Sequence, residues 1–208
     1  MAGVRAGSRV FVAGGLVAGQ PSNALYCLDM NEPDKGWEQL ASFPGPPRVQ
    51  PVLTASQANG KLQLFLFGGF AAAGDDRPAS VSVDGLRYDA DEDRWTGLLP
   101  PTDRRGQPVS LGGATATQWN DSLFVYTGGV HRGVFLKALQ REARFKGVEA
   151  LSLRRRYLSH DPQWYQFNPL VLIYNVKTDR WQEVLEVPQL ARAGAAAARF
   201  GNRLIVFQ

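Results

Sequence analysis

Leu62-Gln-Leu-Phe-Leu-Phe67-Gly68-Gly69, then Leu86-Arg-Tyr88-Asp89, then Asp93-Arg94-Trp95, is the stretch on which the fold turns. It runs from an apolar segment to a glycine pair, a short segment ending in an aromatic and an acid, and a polar turn that leads into tryptophan. The same order occurs upstream as Arg9-Val-Phe-Val-Ala-Gly14-Gly15, Ala24-Leu-Tyr-Cys-Leu-Asp29 and Trp37. It occurs downstream as Leu123-Phe-Val-Tyr-Thr-Gly128-Gly129, Leu172-Ile-Tyr174-Asn175 and Asp179-Arg180-Trp181. The glycine pairs stand 54 and 60 residues apart, and tyrosine precedes tryptophan by seven residues in the second and third copies. Short apolar runs punctuated by turn residues read as strands. A glycine pair suits a sharp turn where backbones approach closely, which a Cβ would obstruct. Tryptophan on an outer strand supplies a large wedge between neighbouring sheets, and Asp-x-x-x-Asp-Arg reads as a polar hairpin turn.

A unit of four short strands repeating at about 50 residues is similar to the Kelch repeat. The expected fold is an all-β, Kelch-type β-propeller in a single domain over 1–208. Strands two to four of a first blade fall within 8–40, with no first strand ahead of them. A complete blade occupies 48–98, and a third occupies 111–185 with an insertion at 130–169. Residues 193–208 begin a fourth. Two complete blades and two incomplete ones are short of the four to eight with which propellers close, so the expectation is a fragment of a larger ring.

Composition narrows the function. Apolar residues make up 44% of the chain, with 22 glycines and 13 prolines, as suits many strands joined by turns. No apolar run reaches the length of about 18 residues that a membrane helix needs. Met1-Ala-Gly-Val-Arg5 lacks the features of a secretory leader, which points to the cytoplasm if Met1 is the natural start. The net charge is +4. Residues 132–156 hold eight basic side chains against Glu142 and Glu149, so the basicity belongs to one segment and argues against a nucleic-acid partner. Cys27, the single cysteine, reads as a small buried hydrophobe.

No metal constellation is visible, since His131 and His160 lack partner ligands at useful spacing. The glycine pairs follow strands without opening helices, so they are not phosphate loops. A site must therefore come from geometry, at the loops that lead into the innermost strands. Those loops are Phe43–Gln50, Ser110–Ala114 and Ala191–Ala195. Arg48 and Arg192 hold equivalent places in two of them and would aim two guanidinium groups at one pocket, a pairing suited to a carboxylate. The alternative is an arginine bonded to blade carbonyls.

Between Gly129 and Leu170 the chain carries about forty residues where the second blade has fewer than twenty. Phe135, Leu136, Leu139 and Ala143, then Val148, Leu151 and Leu158, recur at near-helical spacing. One or two amphipathic helices are expected at about 134–160, either packing their apolar stripe on the propeller or capping its centre with arginines that attract an anion.

The string Phe43-Pro-Gly-Pro-Pro-Arg48-Val-Gln50, Gly128-Gly129-Val130 followed by Phe135, the return Tyr165-x-Phe167-Asn168, and Ala193-Gly194-Ala195-Ala196 stand in an order that resembles the bacterial N-acetylneuraminate epimerases. These are six-bladed Kelch propellers, and the chain is most similar to their cyclically permuted branch. The resemblance covers nearly the whole chain, including the insertion. It implies a sugar-acid substrate, N-acetylneuraminate, whose α and β anomers are interconverted without a metal or organic cofactor, and it allows a periplasmic location. Arg48 and Arg192 would contact carboxylate or hydroxyl groups, with His131 and Asn168 at the rim. His131 departs from an asparagine that many members carry there. A Gly-Glu-x-Lys-Pro-Gly-x-Arg motif with the proton-accepting glutamate would follow directly after Gln208, outside the 208 residues. The competing reading is a Kelch module that binds a protein partner without chemistry.

Overall fold

The computed structural model describes residues 1–207 apart from Asn59 and Asp75. Fourteen main strands follow one another in antiparallel hairpins. β1 (Ala2–Ala6), β2 (Arg9–Ala13), β3 (Leu25–Asp29) and β4 (Glu38–Leu40) form one sheet in that order. β5 (Val52–Ser56), β6 (Gln63–Phe67), β7 (Gly85–Asp89) and β8 (Arg94–Leu98) form the second. The third holds β9 (Thr115–Asn120), β10 (Leu123–Thr127), β11 (Leu170–Asn175) and β12 (Arg180–Glu186). β13 (Ala196–Phe200) pairs with β14 (Arg203–Phe207). The first strands of successive sheets pack beside one another, which makes each sheet a blade and β1, β5, β9 and β13 the lining of a common axis.

One expectation is corrected. The first blade has four strands, because Ala2–Ala6 pairs in full register with Arg9–Ala13, so the described chain holds three four-stranded blades and a two-stranded one. Gly3 and Arg5 interrupt the apolar run there, while Ala2, Val4 and Ala6 face inward with small side chains. The second blade's strands fall within 48–98, and the third blade's run from Thr115 to Glu186, one residue past the expected bound. Within 193–208, expected to begin a fourth blade, the strands span Ala196–Phe200 and Arg203–Phe207, and Gln208 lies outside the described residues.

The repeated residues tie one blade to the next. The Trp95 indole donates to Ala41 O of the preceding linker at 2.7 Å, and that of Trp181 donates to Leu99 O at 3.3 Å. Trp37 has no earlier blade beside it among the described residues and is 50% exposed. In the outer turns the phenol of Tyr88 donates to Asp93 at 2.6 Å, and that of Tyr174 donates to Asp179. Burial, then these carboxylates, push both phenols well above the ordinary tyrosine range. The glycine pairs act at close approach. Gly68 has φ +65°, and a Cβ there would lie 2.6 Å from the Leu111 carbonyl carbon.

Two apolar clusters fill the spaces between blades. Phe11, Leu25, Leu53, Leu64 and Tyr88 lie between the first and second blades. Phe65, Phe67, Phe124, Tyr126 and Tyr174 lie between the second and third. The insertion forms two helices, α1 (Arg132–Glu142) and α2 (Gly147–Leu158). Neither is long and apolar enough to cross a membrane.

Candidate functional site

The loops entering the innermost strands and those following the glycine pairs share one end of the blades. Val49 bridges Phe70, and Arg48 lies against Gly69, whose Cβ would come within 2.9 Å of Arg48 Cδ. Around the axis at this end runs a chain of backbone hydrogen bonds. Gly113 N–H donates to Gln50 O at 2.9 Å, and Gly194 N–H donates to Gly113 O at 2.7 Å. Gln50, Gly113 and Gly194 each stand two residues before the innermost strand of their blade, and all three have positive φ, at 49°, 70° and 85°. They form an open arc of an axial ring, at the mouth of the axis.

Arg48 and Arg192 are structurally equivalent, as the sequence suggests. Each offers its backbone carbonyl to the second glycine of the preceding blade, Gly15 at 2.9 Å and Gly129 at 2.7 Å. Their side chains diverge, which corrects the expectation of two guanidinium groups in one pocket. Arg48 is fully buried and its donors are engaged. Nε donates to Pro46 O and Nη1 to Gly68 O, both at 3.1 Å, and Nη1 and Nη2 clasp Asp84 at 2.5 and 2.9 Å. The Phe43 ring lies 5.2 Å from its guanidinium carbon. Arg48 is thus a clamp between linker and blade, and the Asp84 carboxylate, 42% exposed, is the group it presents outward.

Asn168 is likewise taken up by the backbone. Its amide donates to Gly128 O at 3.0 Å and accepts from Leu170 N–H at 3.0 Å, and the residue is buried. That geometry sets the return from the insertion into β11 and corrects its placement at a pocket rim. His131 is exposed and caps α1, its Nδ1 accepting from Val134 N–H at 3.2 Å.

Arg192 lines a cavity. A groove of about 830 Å³ is bounded by Asp161, Gln163, Gln166, Phe167, Ala191 and Arg192. Arg192 is half-buried, and its Nη1 donates to the adjacent Ala191 O at 2.9 Å. Carboxylate, amides, guanidinium and an aromatic edge together can hold a ligand that is polar on several sides and carries negative charge. Sequence reasoning missed Asp161, Gln163 and Gln166, since in this return it singled out only Tyr165, Phe167 and Asn168.

The helices hold that segment in place. Phe135 of α1 packs edge-on to Phe70 at 4.6 Å and faces Tyr157 of α2 at 6.0 Å. Tyr165 donates its phenol to Tyr157 O at 2.5 Å, His160 stacks on Trp164 at 3.8 Å, and Tyr165 stacks on Phe167 at 5.0 Å. This aromatic chain runs from the second blade to the groove wall. Burial, with the Tyr165 phenol adding to it, pushes Tyr157 up to about 12. In α2 the expected apolar face is reversed. Val148, Leu151 and Leu158 are exposed, while Ala150, Leu153 and Tyr157 are half-buried. All eight basic residues of the insertion are exposed.

The family profile for N-acetylneuraminate epimerase matches residues 2–208. N-acetylneuraminate epimerase of Salmonella arizonae is 30% identical over 188 residues, which cover 89% of this chain and 46% of that protein. That of Vibrio vulnificus is 30% identical over 195 residues, covering 91% and 47%. Among solved structures, one described as the structure of YjhT superposes with a TM-score of 0.76 at 25% identity, over 98% of this chain and 56% of that one. The chain spans about half the length of the curated relatives it matches.

Proposed function

Because the chain belongs to the N-acetylneuraminate epimerase family, we propose that it builds part of a site that binds N-acetylneuraminate and lets its α and β anomers interconvert. The observation that carries the reading is the groove beside the axial mouth, where Arg192 stands among Asp161, Gln163 and Gln166. N-acetylneuraminate carries its carboxylate on the anomeric carbon itself. A guanidinium that fixes the carboxylate therefore also fixes the reacting centre.

The reaction needs no redox step. A base takes the proton from the anomeric hydroxyl while an acid protonates the ring oxygen, and the bond between anomeric carbon and ring oxygen breaks to leave the open-chain ketone. Rotation about the bond to the carbonyl carbon and reclosure by the same steps in reverse give the other anomer, so atoms and protons balance over a cycle. Arg192 would offset the charge of the carboxylate beside the carbonyl oxygen that gains and loses a proton. The proton-accepting carboxylate is assigned, on the family resemblance, to residues beyond Gln208.

The role of Arg192 is tested by Arg192→Ala in the full-length protein. A charged hydrogen bond contributes about 1.5–3 kcal/mol, so the dissociation constant for N-acetylneuraminate should rise roughly 10- to 100-fold, with the unfolding midpoint little changed. Unchanged affinity by calorimetry would remove Arg192 from the site.

A further inference from the structure

The axial ring contains one anomaly. Of the three equivalent positions, two are glycine and the third is Gln50, held at φ +49° in the left-handed region that glycine occupies freely and other residues occupy at a cost. The backbone bond that defines the ring uses only the Gln50 carbonyl, so glycine would serve the ring better. Strain of this kind at a loop tip is an outlier that points towards function.

The side chain has somewhere to go. Gln50 is exposed, and its amide has no hydrogen-bond partner among the described residues. A Cβ built on Gly113 would lie 3.2 Å from Gln50 Oε1 and 3.3 Å from the Ala193 Cβ. The amide therefore lies across the mouth from the second blade over the third, in space that glycine at 113 leaves open. Gln50 Oε1 and the Ala193 Cβ both border that space, and Ala193 is the residue next to Arg192. Two donors and one acceptor are thus presented, uncommitted, where the axis meets the loop carrying the groove's cation.

We infer that Gln50 is a substrate-contacting residue, whose amide reads a neutral polar group, hydroxyl or acetamido, of the sugar acid whose carboxylate Arg192 holds. The inference rests on the reading given under Proposed function and extends it to a second contact of opposite character. Arg192 recognises charge, and Gln50 recognises the polyhydroxy body.

The test uses the full-length protein with Gln50→Gly and Gln50→Asn, measuring N-acetylneuraminate affinity, the KM and kcat of anomer exchange, and the thermal midpoint. Gln50→Gly relieves the backbone and should leave the midpoint unchanged or higher, while Kd and KM rise about 3- to 10-fold, the loss of one uncharged hydrogen bond. Asparagine tolerates the same φ and keeps a shorter amide, so it should fall between the two. Unchanged Kd and KM in Gln50→Gly would overturn the assignment, and so would a lowered midpoint, since the side chain would then be structural. If the unsubstituted protein neither binds N-acetylneuraminate nor speeds its anomer exchange, the functional reading itself fails, and the Gln50 contact falls with it.

Discussion

Arg48→Ala is expected to lower the unfolding free energy by about 3 kcal/mol, measured by chemical denaturation. The guanidinium is fully buried, and its removal strands the Gly68 and Pro46 carbonyls, leaves a cavity against Phe43, and frees Asp84. The full loss of a buried ion pair is not expected, because the Asp84 side chain is 42% exposed and water can replace one partner. The reverse substitution is not symmetrical. Asp84→Ala leaves a buried cation with no counter-charge, so it should cost at least as much despite removing the more exposed residue. A change below about 1 kcal/mol for Arg48→Ala would refute the clamp and return Arg48 to the list of ligand contacts.

Phe67→Ala should be the more damaging change, at about 4 kcal/mol. Phe67 closes β6 of the second blade with no exposed surface, and its three ring partners all belong to the third. Tyr126 lies at 5.6 Å, Tyr174 at 5.2 Å and Trp181 at 4.8 Å, each edge-on. Edge-on pairs add about 0.5–1.5 kcal/mol beyond area burial, and the hole left behind is walled by two blades that cannot close on it independently. Phe67→Leu keeps most of the volume and should cost less than half as much. If Phe67→Ala and Phe67→Leu were equally mild, the blades would not be held together at this contact.

Both residues show what the sequence could and could not reveal. The second and third blades were legible because each strand's apolar run, glycine pair and tyrosine–tryptophan spacing is local. β1 was not, because Ala2, Val4 and Ala6 are too small, and Gly3 and Arg5 too different, to register as a run. The equivalence of Arg48 and Arg192 was readable from their place before successive blades. The fate of the Arg48 guanidinium was not, since Asp84 stands 36 residues away, directly before β7. The face of α2 was ambiguous because it has apolar residues on two sides. Tyr157 decides it by packing on Phe135 and Trp164, contacts that join the insertion to its own return. Gln50 did leave a signal, its alignment with Gly113 and Gly194, but only the ring of backbone bonds shows that the three positions correspond.

The proposed activity is acceleration of sialic acid anomer exchange by the full-length protein. The direct measurement is proton NMR of freshly released α-N-acetylneuraminate, followed to equilibrium with and without the full-length protein. Decay of the α signal into the β signal faster than in buffer, with no second sugar released, is the predicted result. A decay rate identical to buffer at saturating protein would contradict it.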